Sequence, residues 1–336
     1  MHRTKKKQPG WSLLQVLVSV ILLLAPAAGH AAGIDKFLAL GTSSKVGVYY
    51  PVGQAISSLI NETGLTHGIR SIAYNTGGSE YNIQALATGE LDLAITRSNL
   101  VHMAYLGQGD YESIGPNHDF RLITVLYEMP AAVIVRNDLE AADLSQIPGS
   151  RINLGNPGSG KRSVADLLFT TMGWGREDFA EITEYSGDKA AEAFCNGDVD
   201  VIIESLGIPA SYFDQITGEC NGRFIPLPAE AIDRILADNP SFRKGVIPGG
   251  LYPNNPEDVQ TFTVDSVLIT SKRVHPQSIY QVAKVIFDDL ERFRGMDPAL
   301  SLLTLDAMIT DRPFIPYHDG VLQYFKEKDL IKPHSQ

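Results

Sequence analysis

Residues 89–95 read Gly89-Glu90-Leu91-Asp92-Leu93-Ala94-Ile95, and residues 197–203 read Gly197-Asp198-Val199-Asp200-Val201-Ile202-Ile203. Both stretches follow a short helical pattern, and both open an apolar run of strand length. The same supersecondary unit is therefore expected twice, once in each of two lobes. Working outward from the first copy, residues 37–40 predict a strand that stops at Gly41. Val52, Ile56, Leu59 and Ile60 then recur at helical spacing, residues 69–73 predict a second strand, and residues 82–87 a short helix. Around the second copy, a strand is predicted over 151–154, a helix through Val164, Leu167 and Leu168, and another over 188–194. Repeated β-α-β units of this kind imply an α/β fold of mixed or parallel sheets with helices on both faces.

Two longer apolar stretches lie outside the repeat. Residues 122–135 run up to Arg136, Asn137 and Asp138, and residues 262–270 resume a strand after the break at Ile247-Pro248-Gly249-Gly250. Ile279, Val282, Val285, Ile286, Leu290 and Phe293 share one face and predict a single long helix. The chain is expected to cross between lobes twice, giving lobe I as residues 34–136 plus 251–336 and lobe II as residues 137–250. Two connections suit a hinge.

The N-terminus has the order of a secretory signal peptide. Arg3 and Lys5 to Lys7 precede an apolar run over residues 13–25, and Ala27, Ala28, Gly29, Ala31 and Ala32 follow. That run is shorter than a membrane-spanning helix needs. Cleavage near Ala31 is expected, with residues 1–31 removed and the mature protein in the periplasm. The remaining chain exceeds what one core usually supports, so two lobes are the default. It carries 24 Lys and Arg against 39 Asp and Glu, a balance of −15. Such an acidic surface disfavours nucleic acid as a partner. Cys195 and Cys220 are the only cysteines, and in an oxidising compartment they read first as a disulfide, two free thiols being the alternative.

Three glycine-bearing loops carry the chemistry. The first, residues 41–53, brings Thr42, Ser43 and Ser44 to the start of a helix, where backbone N–H groups and the helix dipole favour an anion. Its alternative is an ordinary strand-to-helix turn. The second is Asn75-Thr76-Gly77-Gly78-Ser79. Asn75 and Thr76 fall at a strand's carboxyl end, where open α/β sheets place ligands. Ser79 is expected to be an N-cap, a role that competes with ligand binding. The third is Gly155-Asn156-Pro157-Gly158-Ser159-Gly160-Lys161-Arg162-Ser163. It approaches a phosphate-binding loop, yet Arg162 stands where the magnesium-binding hydroxyl belongs, which excludes nucleotide hydrolysis. The loop still favours an anion at a helix N-terminus.

Taken together, these segments resemble the TAXI group of TRAP-transporter receptors. The resemblance rests on Val48-Tyr49-Tyr50-Pro51, Thr76-Gly77-Gly78-Ser79, Gly89-Glu90-Leu91-Asp92, residues 153–160 and residues 247–252. It implies a type II-like periplasmic binding protein of two α/β lobes, with a small carboxylate such as glutamate or a 2-oxoglutarate-like acid clamped between them. It implies the integral membrane subunits of an ion-driven TRAP transporter as partner, and it also implies the disulfide. Two positions depart from the group. Arg97-Ser98-Asn99 stands where Gln-Ser-Asp is common, and Gly207-Ile208-Pro209 where Gly-His-Pro is common.

Arg97 ends a strand at the cleft, and its planar fork suits a carboxylate. Glu204, near the end of the matching strand, is expected to bind a ligand amine or to pair with Arg97 on closure. The expected ligand-binding set is Thr42, Ser43, Ser44, Val48, Tyr49, Tyr50, Asn75, Thr76, Gly77, Ser79, Arg97, Ser98, Tyr127, Asn156, Pro157, Gly158, Ser159, Gly160, Glu204 and Tyr252. The eight histidines show no metal-ligand spacing, and no catalytic constellation is visible, so neither metal nor cofactor is expected. Neither Ser43 nor Ser79 sits in a Gly-x-Ser-x-Gly elbow, which weighs against a secreted hydrolase. A periplasmic sensor input remains the alternative to a transport receptor. A monomer is expected.

Overall fold

The computed structural model describes residues 37–330, so the signal-peptide reading lies outside the described residues. Ten strands join in one continuous path, ordered β2-β1-β3-β10-β4-β7-β5-β6, with β8 added on β4 and β9 on β10. Four short parallel-sheet strands, β1 (Phe37–Gly41), β2 (Arg70–Tyr74), β5 (Arg151–Asn153) and β6 (Glu181–Thr183), lie at the outer ends. Inside them sit β3 (Leu93–Arg97) and β7 (Val201–Ser205), parallel to β1 and β5 respectively. The centre is formed by two long strands, β4 (Phe120–Arg136) and β10 (Val259–Ser271), which run antiparallel to each other.

The order 2-1-3-10 is thus mirrored by 6-5-7-4. The sequence repeat has a structural cause within it. Asp92 accepts the Ala39 N–H of β1 at 2.8 Å, and Asp200 accepts the Arg151 N–H of β5 at 2.9 Å. Each aspartate fixes the register of its strand against the neighbour that precedes it. Every residue of β3 and of β7 is buried, because helices cover both faces of the sheet there.

The helices follow local rules. In α1 (Tyr49–Glu62), Val52, Ile56, Leu59 and Ile60 are buried along one stripe. α2 (Ser79–Thr88) and α3 (Ser98–Leu106) follow β2 and β3. α4 (Gly160–Met172) starts with Ser159 accepting the Arg162 N–H and stops at Gly173 in the left-handed region, φ 71°. α5 (Gly187–Cys195) ends at the Cys195–Cys220 disulfide, whose Cα atoms are 4.6 Å apart. Closing that 25-residue separation contributes about 3.5 kcal/mol in the chain-entropy account. The single long helix expected through Phe293 is instead two, α6 (Pro276–Phe287) and α7 (Leu290–Arg294). The break falls at Asp288, whose carboxylate is drawn out to Lys284, Lys328 and the Tyr324 hydroxyl.

β4 and β10 position the site. Residues 120–130 of β4 pair with β10, and residues 131–136 pair with β7 and with β8 (Gly222–Ile225). β10 likewise pairs through residues 259–263 with β9 (Arg243–Ile247) and through residues 266–270 with β3. Both strands therefore run from one half of the sheet into the other without a loop.

Candidate functional site

A cavity of about 450 Å³ opens where the two halves face each other. Four helix N-termini border it. Val46, Gly47 and Tyr49 belong to the start of α1, Gly77 to Ser79 to that of α2, Ser159 to Lys161 to that of α4, and Ser186 to Asp188 to that of α5. Each start brings the positive end of a helix dipole to the cavity. Arg97, Lys45 and Lys161 add positive charge, Asp188 and Glu204 negative charge.

Arg97 is the central group. It is 2% exposed, at the C-terminal end of β3. Its Nη2 donates to the Ser205 carbonyl at 3.0 Å, joining β3 to its structural counterpart β7. Nε and Nη1 find no partner among the described residues. Burial pulls the guanidinium below its ordinary value, while Tyr49, Glu204 and Tyr127 oppose that shift. Burial also raises Tyr49, whose neutral hydroxyl lies 3.4 Å from Ser79 Oγ. A buried guanidinium with two idle donors is costly unless something else completes it.

Gly160 allows this arrangement. A methyl group on it would overlap Nε of Arg97 and press on Ser79 Oγ. Gly160→Ala is expected to push the guanidinium aside and weaken ligand binding about tenfold, since site groups tolerate only fractions of an ångström. Titration calorimetry on a variant with unchanged circular dichroism checks this; an unaltered affinity would mean that the position of Arg97 is immaterial.

Lys161 holds Glu204 at 3.0 Å, with side chains 10% and 4% exposed. The other Glu204 oxygen accepts the Ser205 N–H at 3.1 Å. Gly155, at φ +84°, leaves room for the Lys161 stem beneath it. Glu204 thus pairs with Lys161 across its own half, and not with Arg97.

The halves also touch directly. Asn156 Nδ2 donates to the Gly77 carbonyl at 3.2 Å, and the Gly158 carbonyl accepts the Glu80 and Tyr81 N–H groups at 3.2 and 3.4 Å. The first turn of α2 is therefore occupied by a backbone carbonyl. Its N-cap is Gly78, so Ser79 is not the cap expected from the sequence and its hydroxyl remains in the cavity wall.

Of the residues singled out from the sequence, Ser43, Ser44, Tyr49, Asn75, Thr76, Gly77, Ser79, Arg97, Asn156, Ser159, Gly160 and Glu204 line this one cavity. Thr42 is fully buried; its hydroxyl donates to the Tyr74 carbonyl at 2.6 Å and its own carbonyl accepts from Asn82. Val48 packs in the core at the start of α1, and Tyr50 lies beside Gln54 on the outer face of that helix. Pro157 and Gly158 form the turn behind Asn156, outside the lining. Ser98 and Tyr127 line a second cavity on another side of the central strands. Tyr252 is buried within the second half, where its hydroxyl accepts the Ala210 N–H at 2.8 Å. Sequence reasoning missed Lys45, Lys161, Ser186, Gly187, Asp188 and Tyr212. The signal for Ser186-Gly187-Asp188 was a serine directly ahead of an apolar helix, the sequence pattern also seen at Ser159, although only Ser159 accepts a first-turn N–H with its side chain.

The sequence pattern of the NMT1-like family matches residues 40–328. Among solved structures, one from Bordetella bronchiseptica is similar over 88% of this chain and 98% of its own, with TM-score 0.56 and 12% identity. PhnD1 from Prochlorococcus marinus, solved in complex with methylphosphonate, is similar over 88% of this chain and 99% of its own, with TM-score 0.52 and 12% identity. The alkanesulfonate-binding protein SsuA from Xanthomonas axonopodis, bound to MOPS, matches at TM-score 0.45 and 14% identity, over 88% of this chain and 85% of its own. At such identities the likeness of the first two is one of fold alone, a mixed α/β fold.

Proposed function

This chain belongs to the NMT1-like family, and from that premise we propose that it is an extracytoplasmic solute-binding receptor for an acidic amino acid of the glutamate class. The observation that carries this reading is Arg97, buried at the cavity with Nε and Nη1 unpartnered among the described residues. A ligand carboxylate supplies two acceptors in the geometry those donors need. The rest of the lining agrees in charge. Lys45, Arg97 and Lys161 face Asp188 and Glu204, an excess of one positive charge. A guest with two carboxylates and one ammonium carries the complementary −1. The uncapped start of α5, beside Lys161 and Ser44, suits the second carboxylate.

The mechanism is closure. Lobe I supplies Arg97, Ser79 and Ser43, and lobe II supplies Lys161, Glu204 and Asp188, so a bound guest favours the state in which the lobes meet. The crossing strands β4 and β10 act as the hinge, with the lobes changing over near Pro130 and Thr263. The loaded receptor then presents the guest to the integral membrane subunits of a TRAP-type transporter in the periplasm. The support for that partner is the TAXI-like set of loop sequences around residues 48–51, 76–79 and 153–160.

A thermal-shift screen of amino acids and organic acids tests the reading. At a hundred times its dissociation constant, the right guest stabilises the native state by about 2.7 kcal/mol, a rise of about 5 °C. Acidic amino acids are expected to give that rise, and to be recovered chemically unchanged. No response to any of them, or turnover of one, would refute it.

A further inference from the structure

Behind the cleft, the two crossing strands carry like charges directly opposite each other. Glu128 of β4 and Asp265 of β10 are cross-strand partners. Such a pair repels and weakens the ladder at that point. The ladder is already interrupted there, because the register shifts between Asp265 and Val267 and leaves one extra β4 residue in the stretch containing Tyr127. One cation holds the site together. Arg243, the first residue of β9, approaches Asp265 through Nη2 at 2.6 Å and Nη1 at 3.2 Å. Its Nη2 also lies 2.6 Å from Glu128 Oε1.

The position of this cluster matters more than its strength. It borders a groove of about 880 Å³, lined also by Tyr127, Pro130, Thr263 and Leu302, that is separate from the ligand cavity. Asp265 is followed by Ser266, whose cross-strand partner is Arg97. Successive side chains of a strand face opposite ways. One strand segment therefore carries the charge cluster on one face and, on the other, the residue in register with the ligand-facing arginine. Arg243 comes from β9, which pairs with residues 259–263 of β10, while both carboxylates lie beside Pro130 and Thr263, where the two long strands change partners.

We propose that Arg243 is a hinge-positioning residue, which holds the lobes in the closed geometry from behind and so sets ligand affinity without touching the ligand. This rests on the receptor reading for its ligand but not for its conformational claim. The cluster is formed in the same geometry in which Asn156 and Gly158 bridge the lobes across the cleft. Removing the cation both breaks this link and leaves two facing carboxylates.

The test uses the mature protein and three variants, Arg243→Ala, Arg243→Lys and the triple Arg243→Ala/Glu128→Gln/Asp265→Asn. Small-angle scattering without ligand reads the lobe angle, and calorimetry with glutamate as probe reads affinity. Arg243→Ala is expected to enlarge the ligand-free radius of gyration and to weaken binding about fivefold, by population shift. Arg243→Lys and the triple variant are expected to return most of both changes, since one restores the cation and the other removes the repulsion. Unchanged scattering in a folded Arg243→Ala protein, or affinity equal to or tighter than the parent, overturns the proposal. If glutamate does not bind the parent at all, the receptor reading fails on its ligand, and scattering alone still decides the hinge.

Discussion

Replacing Arg97 with methionine is expected to weaken ligand binding roughly a hundredfold or more, while the ligand-free protein stays as stable as the parent or gains slightly. The two effects have one origin. Among the described residues Arg97 is a buried charge that donates to the Ser205 carbonyl and leaves Nε and Nη1 without a protein partner. Methionine fills much of the same volume, removes the desolvation cost, and forfeits only that one bond. With the proposed carboxylate guest present, the balance is expected to reverse, because truncating one member of a buried charge pair costs about 2–5 kcal/mol. Thermal melting with and without ligand reads both quantities in one experiment. A core arginine with a purely structural role gives the opposite pattern, a lower melting temperature in the empty protein and a ligand response that survives.

The place of Arg97 beside the cavity was legible in the sequence, and the reason is topological. A charged residue closing an apolar strand just before a helix lies at the carboxyl edge of the sheet, where open α/β folds leave a crevice. The same logic located Ser43, Asn75, Thr76 and Glu204. It failed where a side chain's direction depends on rotation within a helix or on the apex of a turn. Tyr49 and Tyr50 are adjacent, yet helical geometry sends only the first into the cleft. Lys161 was set aside with the nucleotide-loop pattern that contains it, although its chemistry does not depend on that pattern. The greatest gap concerned β4. Residues 122–135 read as one apolar stretch with a boundary at its end, whereas the strand runs Phe120–Arg136. Nothing in a period-2 pattern tells a strand that it changes partners halfway, from β10 to β7 and β8. Such an exchange is set by residues far away in the chain, and the paired antiparallel strand lies more than a hundred residues later.

Glu204→Leu, made alone, is expected to destabilise the protein by about 3 kcal/mol, and Lys161→Met alone by a similar amount. The double variant Lys161→Met/Glu204→Leu is expected to recover most of the parent stability. Each single change leaves the partner charged in surroundings that admit little water, the side chains being 10% and 4% exposed. Breaking a buried ion pair by removing one member costs about 3–5 kcal/mol, whereas replacing both with apolar groups is often neutral. The lower end applies because the pair borders a cavity that admits water on one side. Denaturant unfolding of the four proteins gives the coupling energy directly. Strictly additive losses would show that the two charges do not depend on each other. Binding supplies the second half of the argument. The double variant keeps the fold but takes one charge of each sign from lobe II, so the net charge facing the guest is unchanged while its pattern is lost. On the proposed reading, recognition of net charge alone predicts binding as before, whereas separate recognition of a carboxylate and an ammonium predicts loss of the response to glutamate even though Arg97 is intact.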